Sequence, residues 1–183
     1  MQQGQYDGLC GVYSIVNSVS ALAKNSKTDG NLRKALFDVV CRQLDDDGLL
    51  LSAVTGGISA GDYDGFIGRA LMAVGREMEI GADSTTPFRS GPLTAAAFYK
   101  ELADRIGDGT RSLAIVWVSG EWDHWTVVRS ISEARINLID SDGRDHLARS
   151  FCSIYPDASG KYILHPRQTY LLTIRPTKAE PTR

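Results

Sequence analysis

The chain has 183 residues, a length that fits one domain, and 43% of them are hydrophobic against 23% charged, ordinary proportions for a protein that builds a core. Those values exclude a disordered regulator, a collagen-like fibre and a coiled coil. The formal charge is −2 and no more than two Lys or Arg residues stand side by side, so no nucleic-acid partner is expected. No apolar stretch nears the roughly 20 residues that span a bilayer, and Met1–Gly8 lacks the basic and apolar regions of a secretory signal. The expectation is a cytoplasmic protein, or an effector delivered into a host cell, with no membrane partner. Cys10, Cys41 and Cys152 form no CxxC pair and no zinc spacing with His124, His146 or His165, so no metal or cofactor is expected.

In chain order, Val12, Ile15, Val16, Val19 and Leu22 recur at spacings of three and four and predict a helix over about 10–24 with one buried stripe. Asn31 is suited to cap a second helix over about 32–44, with Leu32, Ala35, Leu36, Val39 and Val40 inward. The acidic run Asp45-Asp46-Asp47-Gly48 lacks the alternating ligands of a calcium loop and reads as a solvated turn. The stretch Thr55–Gly61 is not a phosphate cradle, since no lysine follows its glycines; it reads as a flexible connection bordering a cleft. Helices are predicted over about 62–77 and about 92–106, the latter with Pro92 in its first turn. Beyond residue 110 the period shortens. Leu113–Val118 reads as a buried strand, and 125–131 with 135–139 as a hairpin. Further strands are expected over 149–154, 162–164 and 169–175. The layout is α+β: a helical first half and an antiparallel-sheet second half within residues 1–175, then a polar tail over 176–183.

Four residues carry the candidate chemistry. Cys10 lies at the start of the first helix, where unpaired backbone N–H groups and the helix dipole favour a thiolate. Gly11 beside it leaves room for a substrate backbone. His124 begins the first strand of the hairpin, a rim position suited to a general base. Asp140 ends the next strand, where a carboxylate can fix the tautomer of the imidazole. Gln5, five residues before Cys10, is suited to donate its amide to a developing oxyanion. Each feature taken alone has a plain structural explanation: a packed thiol, a loop histidine, a turn aspartate. His146 and His165 are not followed by a strand that ends in a carboxylate.

Taken together, Gln5…Cys10-Gly11 at a helix start, then His124-Trp125, then Asp140-Ser141, resembles the papain-like cysteine peptidases. The spacing from Gln5 to Cys10 and the run His124–Arg129 followed by Asn137-Leu138 are similar to Josephin-type deubiquitinases. Tyr6-Asp7…Cys10-Gly11-Val12-Tyr13 is similar to the SUMO-protease group, which carries the pieces in the opposite order. The order seen here favours Josephin, papain or the bacteriocin-leader peptidases. The likeness covers about 3–22 and 112–143. The papain-type Cys-Gly-x-Cys-Trp run is absent, and Josephin proteins generally use asparagine as the orienting residue, which makes Asn137 the rival of Asp140.

The resemblance implies a papain-like fold, with the nucleophile helix packed on an antiparallel sheet. It further implies a Cys10–His124–Asp140 triad with Gln5 at the oxyanion, acting on a peptide or isopeptide bond of a protein or peptide substrate, such as a ubiquitin-like or host protein. The same triad performs glutamine deamidation or transglutamination on a side-chain amide, and a non-catalytic binding module with this fold is the third reading.

Overall fold

The computed structural model describes residues 8–23, 31–90, 93–157 and 159–175. Gln5, Tyr6, Pro92 and the tail 176–183 lie outside these residues. Among the described residues five α-helices, α1 (Cys10–Leu22), α2 (Asn31–Asp46), α3 (Leu50–Gly56), α4 (Ala60–Met78) and α5 (Ala95–Ile106), accompany seven strands: β1 (Ala82–Thr85), β2 (Ser112–Gly120), β3 (His124–Ile131), β4 (Arg135–Ile139), β5 (His146–Ala148), β6 (Cys152–Ile154) and β7 (Tyr162–Ile174). The architecture is α+β. The strands form one open sheet in the order β1-β7-β2-β3-β4-β5, antiparallel throughout that path, while β6 lies parallel beside β7.

Helices cover both faces of the sheet, not one. Alternate residues of β2 and β3 point to opposite faces, so Leu113, Ile115, Trp125 and Val127 pack with α1, α2 and α4, and Ala114, Val116, Val118 and Val128 pack with α5. This two-sided burial explains the unbroken apolar run of β2. Among the described residues no helix is long and apolar enough to cross a membrane.

Helix α1 is buried on every side, including Ser14, Asn17, Ser18 and Ser20, so it is a central element and not an amphipathic one with a single stripe. In α2 Ala35 faces outward, and Phe37 instead packs 5.2 Å from the ring of Tyr13. Asp47 is gripped by Arg69 through three bonds of 2.9 to 3.1 Å, which ties the acidic turn to α4.

Several elements depart from expectation: β5 is not among the predicted strands, and of the strand expected over 149–154 only Cys152–Ile154 is strand, Arg149–Phe151 forming a single 3-10 turn. Residues 50–56 form α3, and the remaining loop Gly57–Ser59 is anchored: the Ile58 carbonyl accepts from Trp125 Nε1 at 3.1 Å, and the Ser59 hydroxyl caps α4 by accepting from Asp62 N–H at 3.2 Å. Strand β1 pairs with the end of β7, and Asp83 is bonded there by Arg175. The two strands expected at 162–164 and 169–175 are one strand. Its break in pattern at Pro166 is a wide bulge, because Val116 pairs with Thr169 and Val118 with Leu164, leaving residues 165–168 opposite Trp117 alone. A proline in the bulge has no ladder bond to lose.

Gly11 has a role in packing rather than in admitting substrate. A Cβ there would stand 2.9 Å from Tyr63 Cε2 and 3.2 Å from Ile58 Cδ1, and Tyr63 is fully buried, stacked 4.0 Å from Trp125. Replacing Gly11 by Ala should therefore lower unfolding free energy by about 1–3 kcal/mol, the usual cost of overpacking. In urea denaturation the midpoint should fall at unchanged slope; an unchanged midpoint would show that the Tyr63 ring can move aside.

Candidate active site

The site lies where the N-terminus of α1 meets the start of β3. Cys10 is the first residue of α1, and Leu9 before it offers no side-chain cap. The helix ladder begins with Tyr13 N–H donating to Leu9 C=O at 2.9 Å, so the N–H of Cys10 is left over from intrahelical bonding. Gly8 fixes the approach. Its N–H donates to Val54 C=O at 2.9 Å, and a Cβ there would stand 2.5 Å from Ala53 O and Gly57 N. Gly57 takes φ +83°, a conformation that suits glycine. The end of α3 thus forms a backbone wall beside the thiol.

His124 opens β3 and is buried, with 6% of its surface exposed. Its Nε2 is 3.1 Å from Asp140 Oδ2, which leaves Nδ1 for Cys10, a residue within hydrogen-bonding reach of the ring. Asp140 is placed by register. Val127 pairs with Ile139 and Val128 with Leu138, so continuing the ladder sets Asp140 opposite Thr126, on the face of His124. The carboxylate has no exposed side-chain surface and three donors: His124 Nε2, Thr126 Oγ1 at 2.6 Å, and Asp142 N–H at 2.7 Å onto its other oxygen.

Asn137 is not part of this arrangement. A bulge in β3 between Val128 and Ser130 sets Asn137 opposite Ser130, and its amide donates to the Ser130 hydroxyl at 2.9 Å. The expected rival orienting residue faces away from His124, three strand positions from Asp140. Gln5, the expected oxyanion donor, lies outside the described residues.

Burial pushes the His124 imidazole toward its neutral form, but the hydrogen bond to Asp140 and the interaction with Cys10 outweigh it, and the pKa is raised to about 9. Two aromatic neighbours complete the enclosure. Trp122 stacks on the imidazole at 4.5 Å with the rings 16° apart, and Arg144 lies 4.6 Å from the Trp122 ring centroid while donating to Tyr162 Oη at 2.8 Å. Thr126, Trp122 and Arg144 were not singled out from the sequence. Thr126 and Trp122 had a signal available, because each lies two residues from His124 and so shares its face of an extended chain.

Cys10 and His124 line one side of a cleft of about 390 Å³, with Gly8, Gly57, Ser59, Trp117 and Asp123 around the rest. The other cysteines are remote in character. Burial pushes the Cys152 thiol up to about 11, and its Sγ sits 3.3 Å from Ala148 O. His146 bonds to its neighbour Asp145, and His165 bonds to Ser119, outside the group around Cys10. Among the described residues no three His, Cys, Asp or Glu side chains are grouped to hold a metal. The chemistry available to the site is that of a thiol, an imidazole poised to carry a proton, and a buried carboxylate that holds the imidazole in place. Comparison with protein-family models, with curated proteins and with solved structures finds no match.

Proposed function

We propose that the protein is a papain-like thiol hydrolase that cleaves a peptide or isopeptide bond in a protein or peptide substrate. The observation that carries this reading is the chain Cys10–His124–Asp140, in which Cys10 and His124 line the cleft and the buried Asp140 holds the imidazole. A thiol in contact with a histidine, itself oriented by a third group, is the arrangement of an activated nucleophile.

His124 takes the proton of Cys10, and Asp140 stabilises the imidazolium. The thiolate attacks the carbonyl carbon, and the developing oxyanion faces the N–H of Cys10, which takes no part in the helix ladder. As the intermediate collapses, the C–N bond breaks and His124 Nδ1 delivers its proton to the leaving amine. Water then gives its proton to His124, adds to the thioester carbonyl and releases the acid, restoring Cys10. The same steps on a glutamine side chain release ammonia, so hydrolysis and deamidation share this machinery.

Cys10→Ala should abolish turnover and leave unfolding free energy within about 1 kcal/mol of the parent, since the change is small and conserves volume nearly. With iodoacetamide at pH 6, Cys10 should be alkylated well ahead of Cys41 and Cys152, read by peptide mapping. Equal rates at all three would favour a non-catalytic binding module. Labelling by electrophile-tipped ubiquitin-like proteins and peptides then sorts the substrate classes.

Asp140→Asn should lower kcat by more than about tenfold, whereas Asn137→Ala should leave it nearly unchanged. The imidazolium is needed in its charged form, so activity should fall on the alkaline side as pH passes about 9. In Asp140→Asn that limb should move to lower pH, because burial then acts with less opposition. The raised pKa also makes His124 a source of stability that is fully present below pH 6.5 and lost as pH rises toward about 9. An alkaline limb that stays in place in the Asp140→Asn variant would remove His124 from the titrating pair.

A further inference from the structure

Tyr63 belongs to neither of the elements that carry the thiol and the imidazole, yet it meets a neighbour of each. It stands in the first turn of α4, where its N–H donates to Ser59 C=O at 2.9 Å. Its side chain is fully buried, so it meets no substrate. Toward α1, the edge of the ring lies against Gly11, where even a Cβ would stand 2.9 Å from Cε2. The hydroxyl donates to Gly11 C=O at 3.3 Å and lies 2.9 Å from Ser14 Oγ, which reaches the same carbonyl at 2.7 Å. Burial, and after it the nearness of Tyr170 and Cys10, holds this phenol far above its usual pKa and outweighs the bond with Ser14. Toward β3, the ring stacks on Trp125 at 4.0 Å with 19° between the planes. Trp125 is fixed in turn, fully buried and with its indole N–H bonded to Ile58 C=O at 3.1 Å. Tyr170 of β7 closes a third side, edge-on at 5.4 Å, and its own hydroxyl donates to Asp64 Oδ1 at 3.1 Å.

Resting on the thiol-hydrolase reading, we propose that Tyr63 is the positioning residue of the Cys10–His124 pair, its ring wedged between Gly11 and Trp125 so as to set the separation of thiol and imidazole. Gly11 and Trp125 are each next in the chain to a reacting residue, about 3.8 Å away between Cα atoms. A shift at either is therefore felt by the thiol or the imidazole across a single peptide unit. The interior is close-packed, so a change in the volume of the wedge moves one of the two elements. The pair tolerates little movement, since a misplacement of about 1 Å can cost about 10²-fold. The gauge is the ring and not the hydroxyl. Ser14 also bonds the Gly11 carbonyl, whereas the contacts with Gly11 and Trp125 are made by ring carbons.

The test uses the full chain and the rate at which iodoacetamide alkylates Cys10, read by peptide mapping at pH 6 and at pH 10. At pH 10 a thiol ionises without help, whereas at pH 6 it does so only beside the imidazole. Tyr63→Leu should lower the rate at pH 6 by at least about tenfold and leave the rate at pH 10 near the parental value. Tyr63→Phe, which keeps the ring, should stay near the parent at both. A cooperative melt shows that each variant is folded. Where Tyr63→Leu lacks one, Gly11→Ala takes its place, because it presses on the same ring and should show the same loss confined to pH 6. A folded variant with the parental rate at pH 6 would overturn the assignment, since the pair then keeps its spacing without the wedge. A loss of equal size at both pH values would do the same, because the thiol has then only become harder to reach. Tyr63→Phe as slow as Tyr63→Leu would move the role to the hydroxyl and overturn the ring as the gauge. All three outcomes leave the hydrolase standing as long as Cys10 of the parent outpaces Cys41 and Cys152 at pH 6. A parent without that lead overturns the hydrolase reading, and the positioning role with it.

Discussion

The spacing between the thiol and the imidazole is set by a side chain that belongs to neither element. Tyr63 of α4 fits against Gly11, next to Cys10, and stacks 4.0 Å from Trp125, next to His124. Its hydroxyl lies 2.9 Å from Ser14 Oγ and 3.3 Å from Gly11 C=O. Burial holds this phenol far above its usual pKa, so it stays neutral and bonded. Trp125 in turn donates its indole N–H to Ile58 C=O, on the rim of the cleft. One aromatic ring thus gauges the distance between α1 and β3, and a close-packed interior passes any change in that gauge to both reacting groups.

The electrostatics of the pair follow from burial on one side and hydrogen bonding on the other. An imidazole removed from water favours the neutral form, and the carboxylate of Asp140 reverses that preference. Asp140 can do so because its own position is over-determined: Thr126 and the backbone of Asp142 hold both oxygens. Trp122 and Arg144 close the outer side, with the guanidinium fixed by Tyr162. The bond from Nε2 to Asp140 leaves the imidazole one ring nitrogen for its interaction with Cys10.

Much of this was legible because it depends on local pattern. The period of Val12 to Leu22, the hairpin around residues 132–134 and the rim positions of His124 and Asp140 all follow from spacing alone. Asn137 and Asp140 could be ranked but not separated until the β3 bulge was seen, since a bulge shifts register without a sequence mark. The helix α3 was hidden because it buries only Ala53 and ends in two glycines, which read as a breaker. Gly11 was misread for a different reason. A glycine beside a nucleophile suits close approach by a substrate or by the core, and only the position of Tyr63 decides between them. Pro166 divided β7 in the sequence because proline cannot serve an unbroken ladder, and the chain resolves the conflict by leaving the ladder for four residues.

The same interruption explains why the candidate chemistry collects where it does. Inside a sheet or a helix, away from sheet edges, backbone N–H and C=O groups are engaged and closed to a substrate. The exceptions are helix starts, strand ends and bulges. Cys10 sits at a helix start, His124 at a strand start, Asp140 just past a strand end, and residues 165–168 in a bulge. Trp117 stands between them, on a strand whose residues Leu113–Val116 and Val118 are buried in the core. His124, Asp140 and the bulge therefore lie along one rim of the sheet, and Cys10 is brought to that rim by the start of α1.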